Sequence, residues 1–157
     1  MPPVDASAAP MPLFERLEDD APFALTEMPA QRTLTPAGLR ASVRGELMRL
    51  LNTRRGRTGA RRPLDVLDYG LQDWSARDAA RAEDRSGLER AVVEAIMAFE
   101  PRLKQPRALV EPEPDAPWQL RLRIMGTLDV GAGPWPVVFV AQLADGQPVG
   151  VVDERIA

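Results

Sequence analysis

Between Pro36 and Asn52 the apolar positions Leu39, Val43, Leu47, Leu50 and Leu51 recur with a 3.6-residue period, while Arg40, Arg44 and Arg49 fall on other sides. That pattern predicts an amphipathic helix. Thr35 can cap it, and Pro36 fits the first helical position, where its missing N–H costs nothing. The Arg/Gly-rich run 53–62 predicts a loop, and Leu64, Val66 and Leu67 lead into a short structured turn at Asp68-Tyr69-Gly70-Leu71. Residues 72–86 are polar apart from Trp74. Ser86-Gly87-Leu88-Glu89 then reads as a capping box. It opens a second helix whose face is Leu88, Ala91, Val92, Ala95, Ile96 and Phe99. Pro101 ends that helix near Glu100.

Beyond Pro101 the period drops to two. Leu103–Val110, broken by Pro106, suits an edge strand. Residues 111–117 are Pro-rich and acidic and predict a loop. Trp118–Val130 alternates, with Leu120, Leu122 and Ile124 opposite Arg121 and Arg123. Residues 131–134 form a turn, and the unbroken apolar run Val137–Val140 predicts a central strand covered on both faces. Asp145-Gly146 is a hairpin signal returning the chain into Val149–Val152. Two main helices packed on a three- or four-stranded, mainly antiparallel sheet make an α+β domain over residues 36–157. Residues 1–35 form a tail and arm. Residues 1–12 are too poor in large apolar groups to pack and are expected to be disordered. Leu13, Phe14 and Leu17 make a short sticky segment, and Pro22, Pro29 and Pro36 punctuate an extended stretch.

Composition narrows the chemistry. The 157 residues include no His and no Cys. That excludes a Ser-His-Asp triad, a thiol nucleophile, an imidazole or thiolate metal site and any disulfide. No apolar run approaches the roughly 20 residues of a membrane span, and the N-terminus lacks the basic and apolar regions of a signal peptide. A cytoplasmic location is expected. The net charge of −3 is unevenly spread: a basic segment, residues 36–62, lies between two acidic flanks. Its Arg49, Arg54, Arg55, Arg57, Arg61 and Arg62 form either a solvated loop or a contact for an acidic protein surface. Nucleic acid is disfavoured, because no aromatic residues are interleaved.

Carboxylates such as Asp68, Asp73, Glu94 and Glu100 could in principle pair for glycoside hydrolysis. With only three Trp, one Tyr and four Phe, a sugar-stacking cleft is poorly supplied. Glu100-Pro101-Arg102 marks a helix-to-strand corner. Its two charges either pair locally or project together as a rigid polar handle.

In order along the chain stand Leu13-Phe14-Glu15-Arg16-Leu17, the run Ser42–Arg55 with its Leu-Leu-Asn-Thr-Arg, Asp68-Tyr69-Gly70-Leu71, Phe99-Glu100-Pro101-Arg102-Leu103, and Ile124-Met125-Gly126-Thr127-Leu128. Together these resemble the TssE family, the type VI secretion baseplate subunits of the lysozyme-like contractile-phage baseplate wedge proteins, over about residues 13–153. The resemblance implies a non-enzymatic structural subunit without cofactor or metal. It would sit in the cytoplasm of a bacterium, at a baseplate docked on the inner membrane. Its partners would be TssF, TssG and TssK in the wedge and the sheath proteins TssB and TssC, with no nucleic acid, small-molecule substrate or membrane insertion. On that reading Glu100, Pro101 and Arg102 touch the wedge, Leu13, Phe14, Arg16 and Leu17 anchor a partner, and Arg54 and Arg55 add basic contacts. A sheath strand would add at an edge containing Val149 and Val151, with Leu103–Val110 as the other choice. The competing expectation is a peptidoglycan-cleaving glycosidase with Glu100 as acid, and the missing export signal speaks against it.

Overall fold

Thr35 caps the first long helix as its sequence demands, its Oγ1 accepting from the Gly38 N–H at 3.1 Å, in a computed structural model that describes residues 9–17, 22–23, 25, 33–56, 63–74, 81–144 and 146–154. This helix, α2 (Pro36–Asn52), follows β1 (Ala9–Pro10), α1 (Leu13–Leu17) and β2 (Thr33–Leu34). It buries the five apolar positions that the period picks out. The strand β1 pairs antiparallel with β2, so Ala9 and Pro10 are ordered against the start of the domain, unlike the disordered tail expected there. Residues 1–8 and 57–62, with Arg57, Arg61 and Arg62, lie outside the described residues.

The second long helix, α3 (Ala82–Phe99), starts a turn earlier than expected. Its N-cap, Arg81, makes no side-chain cap, and Glu83 and Asp84 in the first turn face the positive end of the helix dipole instead. Ser86 lies inside the helix, so the expected capping box is not formed. Glu89, its supposed partner, accepts the Val110 N–H at 2.8 Å. The helix ends at Phe99, before Pro101, as expected.

Four antiparallel strands follow in the order β3 (Lys104–Glu113), β4 (Ala116–Asp129), β5 (Pro134–Leu143), β6 (Val151–Glu154). The protein is α+β. Residues 111–117 are not the loop their prolines suggest: β3 runs to Glu113, a tight turn follows, and β4 begins at Ala116. An edge strand tolerates Pro112, whose missing N–H needs no partner there, and the register shifts beside it. A second shift, between Lys104 and Arg107, takes up Pro106.

One sheet face carries Val110, Leu120, Leu122, Ile124, Leu128, Val137, Phe139 and Leu143 into the core beneath α2 and α3. Strand β5 is interior, as expected, but Val138 on the opposite face is only half-buried. Full cover on both faces is therefore not realised. Asp145 lies outside the described residues, while Gly146 turns with a positive φ.

Helix α2 also holds the last strand. The Asn52 carboxamide donates to the Val149 carbonyl and accepts the Val149 N–H, each at 2.8 Å, copying a strand partner. Arg40 reaches Asp153 at 2.9 Å and the Glu154 carbonyl at 3.1 Å, and Arg44 reaches Asp153 at 2.8 Å. Replacing Asn52 by alanine strips both Val149 groups of their partner at a buried position. Urea unfolding should register a loss of about 1–3 kcal/mol. An unchanged midpoint would mean that the pairing adds nothing.

Candidate functional site

At the end of α3 the chain must turn into β3, and the turn is made by Glu100-Pro101-Arg102. The Glu100 N–H still bonds the Ile96 carbonyl at 2.8 Å, and the Leu103 N–H bonds the Glu100 carbonyl at 3.2 Å. Pro101 is exposed at the tip. Glu100 does not project as half of an outward handle. It is 1% exposed, as buried as the core around it. The physical reason is the guanidinium two residues on. Arg102 Nε donates to Oε1 at 2.8 Å, Nη2 donates to Oε2 at 2.6 Å, and the Arg102 backbone N–H adds a third bond at 3.2 Å. A carboxylate withdrawn from water costs several kcal/mol unless it is fully paired, and this fork supplies the pairing. Burial works against the Arg102 cation, but the hydrogen bonds and charge of Glu100 outweigh it and hold the Arg102 pKa above its ordinary value.

The network continues away from the corner. Arg102 Nη1 donates to Ser42 Oγ at 2.8 Å, and the Ser42 hydroxyl donates to Glu15 of α1 in a short hydrogen bond. One flank of α2 thus ties the arm to the corner. A turn further along α2, Glu46 accepts the Tyr69 hydroxyl at 2.6 Å and the Arg49 guanidinium at 2.8 and 3.0 Å. Burial and the bond to Glu46 push the Tyr69 pKa well up, so the phenol remains a donor. Tyr69 meets Phe99 edge-on, with ring centroids 5.2 Å apart. Between these residues and the arm runs a groove of about 920 Å³, with Met11, Glu15 and Leu17 on one side and Arg49, Tyr69 and Arg102 on the other.

The remaining candidates fall in different places. Leu17 is 70% exposed at the groove, and Arg16 is exposed. The Leu13 and Phe14 side chains lie outside the description. Arg54 pairs with Asp73 at 2.6 Å on the surface. The Arg55 N–H bonds the Leu71 carbonyl at 2.7 Å, and its guanidinium bonds the Gly70 carbonyl at 3.1 Å. These two arginines hold the Tyr-Gly-Leu segment against the end of α2. Val149 and Val151 are both buried, and Asn52 already takes the Val149 backbone. The exposed member of the last strand is Val152. Glu15, Ser42, Glu46 and Asn52 stand within the motif runs, but the sequence assigns none of them a contact role. The one available signal was Ser42 and Glu46 standing four apart on the flank of α2 beside Arg49.

Glu100 is poorly placed for acid catalysis, since a general acid must present a proton to a substrate oxygen. Both of its oxygens are buried and occupied by Arg102 donors. Among the described residues no three carboxylates gather to hold a metal ion, and no helix is long and apolar enough to cross a membrane.

Among curated proteins, none matches the chain significantly. A solved structure from Geobacter sulfurreducens, described as a presumed tail lysozyme, superposes with a TM-score of 0.50 at 19% identity. The match covers 74% of this chain and all of that one, and it establishes a shared fold alone. The family described as baseplate wedge protein gp25 matches residues 37–132, which run from the first turn of α2 through the whole of β4. With more than half of its length matched, the chain belongs to the gp25 family of baseplate wedge proteins.

Proposed function

We propose that this protein is a TssE-type subunit of a type VI secretion baseplate wedge, linking the baseplate to the contractile sheath and carrying out no catalysis. It works in the bacterial cytoplasm at a baseplate docked on the inner membrane, beside TssF, TssG and TssK, with TssB and TssC as the sheath it meets. The observation that carries the non-enzymatic reading is the Glu100–Arg102 fork. The carboxylate that would be the hydrolytic acid serves instead as a brace between α3, β3 and α2. Purified protein should give no muramidase turnover. Turnover abolished by Glu100→Gln would overturn the reading.

For the sheath contact the two sheet edges differ. On β3, Glu89 takes the Val110 N–H, and Pro106 and Pro112 have no N–H to give. That edge resists strand addition. On β6 the side chains of α2 reach Val149 and Glu154, and Val152 between them is 61% exposed. An added sheath strand would therefore pair along Val151–Asp153, short of the occupied Glu154 carbonyl. Proline at Val152 should block sheath assembly, scored by fluorescence of a tagged sheath subunit, while the purified variant still melts cooperatively. Sheaths of normal number in cells carrying that folded variant would remove β6 from the proposal.

A further inference from the structure

The arm crosses the Glu-Pro-Arg corner where two cavities meet. Met11, Glu15 and Leu17 wall the 920 Å³ groove. Pro10 lines that groove and also a smaller cavity of about 290 Å³, with Leu39, Pro101, Arg102 and Lys104. The chain's own residues 9–17 therefore lie over Arg102.

What holds them there is slight. The ladder from β1 to β2 is two residues long, and Pro10 has no N–H to give it. Five residues are too few for α1 to stay helical by itself in water. Leu17 turns 70% of its surface to solvent, and Met11 packs only half-buried against the core. Among the described residues, the side-chain bond that joins α1 to the body runs from Ser42 to Glu15. Ser42 suits that task. Its oxygen accepts from Arg102 Nη1, which polarises the hydroxyl, and its proton goes to a carboxylate in a charge-assisted bond. One polar contact thus carries much of the hold on a segment with little buried apolar surface, the condition for local opening below the stability of the whole domain.

We propose that residues 9–17 form a releasable strap, latched by Glu15 on Ser42, so that the groove at the corner has one fixed wall and one that swings away. The fixed wall is Arg49, Tyr69 and Phe99, and the removable one is Met11, Glu15 and Leu17. Opening bares Ser42 and the Nη1 side of Arg102 while the sheet and long helices stay folded. The strap belongs to the isolated chain and does not depend on the identity of the wedge partners.

The test uses the full chain and two probes of the arm. Trypsin cuts after Arg16 in the strap and after Arg90 inside α3, and the first rate follows the open population when reclosing is fast. The chain has no cysteine, so Met11→Cys supplies a single thiol for maleimide labelling. Glu15→Ala should speed both cutting after Arg16 and labelling at position 11 by about tenfold or more. Cutting after Arg90 should stay at the parental rate. Alanine is the better helix former, so faster opening cannot come from a weakened α1. Ser42→Ala breaks the latch without touching the arm and should likewise raise the Arg16 rate relative to the Arg90 rate. Parental rates at both arm sites in either variant would overturn the proposal. Faster cutting after Arg16 with unchanged labelling would overturn it too, since α1 would then fray alone. Cutting after Arg90 that rises in step with Arg16 would make the arm part of the fold and no strap.

Discussion

Glu100→Ala should destabilise the free protein by about 3–5 kcal/mol, because it leaves the Arg102 guanidinium half-buried without its carboxylate. The same change removes three hydrogen bonds and opens a cavity at the join of α3 and β3. Arg102→Ala should be comparably severe, since it strands a fully buried carboxylate and frees Ser42. The double variant Glu100→Met with Arg102→Leu should recover much of the loss, because exchanging the whole pair for apolar groups removes the desolvation cost with the attraction. Adding Glu100→Ala with Arg102→Ala to the parent and the two alanine variants closes a double-mutant cycle that chemical unfolding can read. A coupling energy near zero would mean that the fork contributes no more than an exposed surface pair would. Assembly of the corner variants should fall in step with their stability, as a brace requires. A handle would instead show lost assembly at unchanged stability.

Gly70→Ala has the second large effect. Gly70 sits at φ +98°, a region that a side chain enters only under strain. A Cβ there would also lie 2.3 Å from the Thr53 carbonyl oxygen, which accepts the Leu71 N–H at 2.9 Å. Backbone cannot give way as a flexible side chain can. The conformational strain is of order 1–3 kcal/mol and the overpacking about as much again. For a domain of this size the melting temperature should drop by roughly 10 °C or more. Gly45→Ala is the matched control. It lies within α2 with only Arg49 Nη1 near, at 3.9 Å, so it should stabilise by about 0.5–1 kcal/mol. A mild effect of Gly70→Ala would mean that the Thr53–Leu71 pairing yields easily. The Tyr69 and Arg55 contacts it positions would then not be rigid.

How much of this was legible depended on whether the deciding partner was local. The bounds of α2 were readable because Thr35, Pro36 and the leucine row all act within the helix. The start of α3 was not, because Ser86-Gly87-Leu88-Glu89 reads the same whether Glu89 caps its own helix or reaches Val110, 21 residues on. The prolines of 111–117 suggested a loop because the sequence does not show that the segment lies at an edge, where Pro is tolerated. Glu100-Pro101-Arg102 could be singled out from sequence, but its direction could not. A spacing of two allows the charges to point out or fold in, and the choice is made by Ser42, 60 residues from Arg102, and by burial under the arm. Asn52 matched to Val149, 97 residues away, left no local trace at all.

Co-expressing this chain with TssF, TssG and TssK of the same host, and resolving the mixture by size exclusion, shows whether it is built into a baseplate wedge. The expected result is one high-mass peak holding all four proteins in fixed proportion. Elution of this chain alone, at the position of its 17.3 kDa mass, while the other three assemble without it, would contradict the claim.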